Sequence, residues 1–267
     1  MGGFAFGPFV LSAERAPVIA GLFVLLLVTG LIARKTGPAI SLWASGAAIG
    51  AALSARLGFV LQHGAVFLAE PLTIFAFWQG GFSPFWGIAG FVLVSAWHLW
   101  RRPGLLLPLA GSALIACAAG NLVFQLARGG DVSLPQQALL FSLSGEPVEI
   151  EAWQGRPLVI NLWASWCPPC RREMPMMAEV AGLQTGAALH FVNQGENAAV
   201  VRRYLSQSGL LIAPVLDPGS QLMQHFGAMG LPATLFIDAS GKLRAAHMGE
   251  ISRAQLLDGI AALTKAD

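Results

Sequence analysis

Two cysteines held apart by two prolines, in the octapeptide Trp163-Ala-Ser-Trp-Cys-Pro-Pro-Cys170, lie between segments of different periodicity. The apolar run Pro157–Leu162 before them reads as a buried strand, and Arg171–Val180 after them reads as a helix. A chain that turns from a buried strand straight into a helix places the first cysteine at the helix N-terminus. Unpaired backbone N–H groups and the helix dipole favour an anion there, and so favour the thiolate, the reactive form of cysteine. A zinc site would need two further Cys or His ligands at suitable spacing. The third cysteine, Cys117, lies in an apolar run, and His190, His225 and His247 are scattered. A purely structural disulfide across so short a loop would stabilise little. The pair is therefore expected to be redox-active: Cys167 attacks as thiolate and Cys170 resolves the mixed disulfide. Neither a metal nor another cofactor is expected.

The rest of the chain divides by charge. Only 11% of the 267 residues are charged, well below the roughly 25% of soluble domains. Ten of these side chains fall in residues 1–131 and twenty in 132–267. The expected division is a transmembrane domain over 1–131 and a soluble α/β domain over 132–267. A span needs about 20 apolar residues, and four are expected, at 17–33, 39–61, 84–100 and 105–127. The intervening stretch 63–82 contains Glu70-Pro71 and Gly80-Gly81 and reads as an interfacial or re-entrant loop. A cleaved signal peptide is not expected, because no basic stretch precedes the first apolar run and further spans follow it. Arg34-Lys35 and Arg101-Arg102 lie between spans and should be cytoplasmic, which leaves both termini and loop 63–83 on the other side. Arg15 and Arg128 oppose this orientation but are outweighed by the two pairs. Trp43, Trp78, Trp86, Trp97 and Trp100 are candidates for interfacial belts. No basic run interleaved with aromatics points to nucleic acid.

Within the first half, Ala55-Arg-Leu-Gly-Phe59 through Glu70-Pro-Leu-Thr-Ile-Phe-Ala-Phe-Trp-Gln-Gly-Gly-Phe-Ser83 resembles the early part of prolipoprotein diacylglyceryl transferases. The resemblance covers about residues 17–100. The family's catalytic histidine falls on Phe85, which cannot transfer a proton, and the glycine after it falls on Trp86. Its later spans have no counterpart. This half is expected to be a repurposed membrane scaffold, with a lipid-modifying enzyme as the alternative. Arg56, His63 and Glu70 are functional candidates, or else headgroup contacts or a structural ion pair.

The second half reads as a hairpin over 138–143 and 147–151, strands at 158–163 and 188–193, and helices at 198–208 and 220–226. A second hairpin spans 233–238 and 243–248, and a last helix, capped by Ser252, spans 253–263. This order, with Trp-Cys-x-x-Cys, the helix Pro175 and Gly230-Leu-Pro232 before a strand, resembles thioredoxin. The resemblance implies that Pro232 is cis and faces the cysteines, and that Trp166, Leu231 and Pro232 contact substrate. Trp163–Pro175, Asn193–Asn197, Leu216–Pro218 and Gly230–Asp238 resemble the TlpA/ResA-like membrane-tethered thiol–disulfide oxidoreductases more narrowly. Asn161 stands where thioredoxin has a buried Asp. Glu173 matches an acidic residue of the ResA-like enzymes and would act with the cysteines as a proton acceptor; otherwise it is an exposed first-turn Glu complementing the helix dipole.

The resemblance implies a disulfide reductase in a bacterial inner membrane, multi-pass, with its thioredoxin-like domain on the periplasmic side. Its partners would be periplasmic disulfide proteins, a membrane electron carrier and membrane lipids. A copper-binding thioredoxin-fold chaperone is the other alternative, with Met174, Met176, Met177 and His225 as ligands. Cys117 reads as a small apolar helix residue.

Overall fold

The computed structural model of the chain describes residues 4–6, 9–11, 16–69, 71–127, 132–183 and 185–266. Two short strands, β1 (Phe4–Phe6) and β2 (Phe9–Leu11), pair antiparallel. The remaining described residues fall into a helical unit and an α/β unit.

The helical unit comprises α1 (Ala16–Thr36), α2 (Ala39–Gln62), the single-turn helix α3 (Gly64–Ala69), α4 (Pro84–Arg101) and α5 (Leu106–Ala127). All four expected spans are helices. Three stretches, Ala16–Thr36, Ala39–Gln62 and Pro103–Leu126, are long and apolar enough to cross a membrane. The 18 residues of α4 rise about 27 Å. That helix is the shortest of the four, and its last turn carries His98 and Arg101.

Small residues set the helix packing. A Cβ on Gly90 would lie 2.7 Å from the Gly50 carbonyl oxygen, and one on Gly120 would lie 2.9 Å from that of Pro17. Close backbone approach of this kind replaces the hydrophobic drive that helices lack in lipid. Trp43 is not a belt residue: it is 1% exposed, packs edge-on against Phe91 and donates its indole N–H to Ser95 Oγ at 3.0 Å. Trp78, Trp97 and Trp100 are exposed.

The segment between α2 and α4 holds α3 and two 3-10 turns, Pro71–Phe75 and Phe77–Gln79. Arg56 pins it by donating to the carbonyls of Thr73 (2.7 Å), Ile74 (2.9 and 3.0 Å), Gly80 (2.7 Å) and Gly81 (3.0 Å). Its guanidinium thus serves the backbone carbonyls of this segment. His63 Nδ1 lies 3.0 Å from the Phe59 carbonyl. Glu70, Arg15 and Arg128 lie outside the described residues.

The α/β unit runs β3 (Leu140–Phe141), β4 (Pro147–Val148), β5 (Leu158–Trp163), α6 (Pro168–Ala181), β6 (Ala188–Gln194), α7 (Ala198–Ser208), β7 (Val215–Asp217), α8 (Gln221–His225), β8 (Ala233–Ile237), β9 (Leu243–Met248) and α9 (Arg253–Ala266). The sheet order is β4-β3-β7-β6-β5-β8-β9. Central β5 pairs parallel with β6 and antiparallel with β8, and all six of its residues are buried. Such a strand reads as a continuous apolar run because both faces are covered.

Alternate residues serve the two faces. Ile160, Leu162, Leu235 and Ile237 pack on one side. Val159, Trp163 and Phe236 meet Met174 and Met177 of α6 and Leu256 and Ile260 of α9 on the other. The expected hairpin strand over 147–151 is shorter, giving way to a 3-10 turn at Ile150–Trp153. Strand β7 was not foreseen. Buried Asp217 at its end accepts from the N–H groups of Gln221 and Leu222, both at 2.9 Å, and so starts α8.

On α9, a Cβ at Gly259 would lie 2.2 Å from Phe236 Cε1. Gly259→Ala is expected to cost about 1–3 kcal/mol of stability through overpacking. The check is a urea melt, in which the midpoint should fall while the slope holds.

Candidate active site

Strand β5 ends at Trp163, and the turn over 164–166 delivers Cys167 to the N-cap of α6. Pro168 and Pro169 follow at the first two helical positions, where a missing N–H costs least. The first N–H of the helix is therefore that of Cys170, and it donates to Cys167 Sγ at 3.3 Å. The two sulfurs form a disulfide, with Cα atoms 5.3 Å apart. Cys170 is fully buried, and Cys167 is only 3% exposed, so the attacking sulfur is barely more open than its partner. Both belong to the apolar cluster of Trp163, Met174 and Phe236, with Leu231 packed against it. The Leu231–Pro232 bond is cis, as the thioredoxin resemblance implies. Trp166 stands out from this buried group, with 68% of its surface exposed.

Glu173, one turn beyond Cys170, is not an exposed first-turn carboxylate. It is 3% exposed. Asn161 Nδ2 of β5 donates to its Oε1 at 2.8 Å, and the Ile251 N–H, just before α9, donates to Oε2 at 3.0 Å. Burial pushes its pKa up to about 7, reinforced by the charge of Glu250 and opposed by the two N–H donors and Arg172. Glu250 itself is forked by Arg172, through Nε at 3.0 Å and an Nη at 2.7 Å. Asn161 Oδ1 has no hydrogen-bond partner among the described residues.

Sequence reasoning missed Glu196. Its carboxylate accepts from the Ser165 N–H (2.7 Å), the Ser165 hydroxyl (2.5 Å) and Asn193 Nδ2 (2.7 Å). It thereby ties the turn after β6 to the turn that carries Trp166 and Cys167. The segment Asn193–Asn197 was visible only as part of a family likeness, and nothing local distinguishes this Glu from a solvated one.

Other candidates are engaged elsewhere. Met174 and Met177 are fully buried in the apolar cluster and Met176 packs against it, while His225 Nε2 lies 2.7 Å from the Ser133 carbonyl. Cys117 is exposed on α5, and Phe85 is exposed at the start of α4.

A Redoxin family profile matches residues 130–260, and the profile of prolipoprotein diacylglyceryl transferase matches residues 16–132. The thiol–disulfide oxidoreductase ResA of Halalkalibacterium halodurans is 31% identical over 161 residues, covering 57% of this chain and 87% of the relative. The chain belongs to the ResA family of thiol–disulfide oxidoreductases. ResA of Bacillus subtilis is 26% identical over 168 residues, 60% of this chain and 90% of its own. A solved thiol:disulfide interchange protein of the thioredoxin family from Chlorobium tepidum is 27% identical, covering 51% of this chain and 97% of that one, with a TM-score of 0.42. This ResA relative is thus a thioredoxin-fold oxidoreductase joined to a membrane region similar to the transferase family.

The raised Glu173 pKa has a sign in stability. Between pH about 4.5 and about 7 the folded protein holds a proton that the unfolded chain has released, so stability falls as pH rises through that window. The fall should be about 3 kcal/mol, a shift of that size converted at 1.36 kcal/mol per pH unit. Chemical denaturation of the oxidised protein at several pH values should show it, and Glu173→Gln should flatten it.

Proposed function

We propose that the chain is a membrane-anchored disulfide reductase, with a membrane domain over 1–131 and a catalytic domain over 132–267 that faces the periplasm of a bacterial inner membrane. The observation that carries this reading is the Cys167–Cys170 pair at the N-terminus of α6, with the buried carboxyl of Glu173 one turn behind it. In the reduced enzyme, Cys167 attacks a client disulfide as thiolate. One client sulfur leaves as thiolate and takes up a proton. Cys170 gives its proton to Glu173 and attacks Cys167 Sγ. The second client thiolate departs, and the proton on Glu173 passes out after it. Two electrons and two protons move from the cysteine pair to the client.

A membrane electron carrier restores the dithiol by the reverse exchange. Trp166, Leu231 and Pro232 form the client side of the site, a role supported by the open indole of Trp166 and by Leu231 packing on the cysteine cluster. In the membrane half, lipids cover the exposed apolar helix faces. Phe85 in place of a proton-transferring histidine favours a scaffold over a transferase.

Cys167→Ser should abolish exchange, whereas Cys170→Ser should accumulate mixed disulfides with clients, visible as adducts on non-reducing gels. Adducts formed by Cys167→Ser would reverse the assignment of nucleophile. For topology, reporter fusions after Lys35 and after Asp131 should report opposite sides of the membrane. The same side for both would exclude the four-span arrangement.

A further inference from the structure

The hydrogen bonds around Glu173 suit one of its two protonation states. Both carboxyl oxygens receive N–H donors, Oε1 from Asn161 Nδ2 at 2.8 Å and Oε2 from the Ile251 N–H at 3.0 Å. An ionised carboxylate, which only accepts, is satisfied by that pair. A protonated carboxyl carries an O–H that needs an acceptor, and a backbone N–H cannot become one. The Asn161 amide can. Turned by half a rotation about its last bond, it presents Oδ1 to Glu173 in place of Nδ2.

Three observations favour such a reversal. Asn161 is fully buried, and its Oδ1 has no partner among the described residues, so no bond on that side holds the amide in its present sense. The other neighbour of Nδ2 is Thr234 Oγ1 at 3.4 Å, a hydroxyl that accepts from an N–H or donates to a carbonyl equally well. Burial also brings the proton equilibrium of Glu173 to about pH 7, so both states are visited under working conditions. The charged and titratable groups around this carboxyl are Glu250 from the turn before α9, Arg172 from α6 and, in the dithiol form, the cysteine thiols.

We propose that Asn161 is a positioning residue whose side-chain amide reverses with the proton on Glu173, donating to the carboxylate and accepting from the carboxylic acid. Either state of the buried carboxyl then keeps its partners. Glu173 can take the proton of Cys170 without its own O–H being left without an acceptor. This proposal rests on the reading of Glu173 as the proton acceptor.

The test uses the full chain in detergent, oxidised so that neither Cys167 nor Cys170 titrates. The carboxyl stretch of Glu173 is followed by infrared difference spectroscopy, with Glu173→Gln as the assignment control. The side-chain amide of Asn161 is followed by nitrogen-15 NMR across the same pH range. The expected result is one shared midpoint for both signals, with the Asn161 titration absent in Glu173→Gln. A carboxyl band that titrates while the Asn161 amide stays fixed overturns the amide reversal alone. A carboxyl that never titrates removes the proton-acceptor reading along with it. In kinetics, Asn161→Leu, apolar and of similar size, should slow release of the mixed disulfide by Cys170 at pH 7 by about tenfold or more. Release at the wild-type rate by a folded Asn161→Leu protein would also overturn the proposal.

Discussion

The docking of α6 on the central strand β5 governs the chemistry of the α/β half. One face of that helix buries Cys170, Glu173, Met174 and Met177 together, so the apolar packing that holds the helix also desolvates the sulfur pair and the carboxyl. The helix begins at Cys167 because two prolines cannot donate and the Cys170 N–H caps the first sulfur. A carboxyl one turn further on faces β5 and the start of α9 rather than water. Its raised pKa follows from that placement, since two N–H donors only partly offset the loss of solvent. Reactivity and stability are therefore set by the same contacts.

The parts of this arrangement that depend on local pattern were legible in the sequence. Strand β5 is an unbroken apolar run, α7 ends at Gly209 in a left-handed conformation, and the cysteine spacing stands at a strand-to-helix turn. The parts that depend on distant contacts were not. Glu173 at that position is equally consistent with a solvated helix start, and it is the Ile251 N–H, 78 residues away in sequence, that settles its surroundings. Glu196 reaches Ser165 across 31 residues for the same reason. Strand β7 has only three residues between Pro214 and Pro218, too few to establish an alternation. Glu196 fixes the backbone of the turn ahead of Cys167, whereas Glu173, one turn beyond Cys170, is held by Asn161 of β5 and by the Ile251 N–H.

The helical half follows other rules. Its helices approach closely at Gly50, Gly90 and Gly120 around a small buried cluster that includes Leu25, Ile40, Trp43 and Leu109, while many other large apolar side chains are exposed. Arg56 donates to backbone carbonyls of the segment before α4, an arrangement that holds irregular backbone in place. The likeness to the transferase family therefore coexists with an arginine that holds the backbone of this segment. Trp43, which composition alone would assign to the membrane interface, instead fills the space between α2 and α4.

The central claim is that the Cys167–Cys170 pair delivers electrons to client disulfides. The most direct measurement is its reduction potential in the full chain at pH 7, by equilibration against dithiol buffers of known ratio. The account predicts a value near that of thioredoxin, about −270 mV, where the dithiol is a strong donor. A value near −120 mV, at the oxidising end of known pairs, would contradict it and make the protein a source of disulfides rather than a sink.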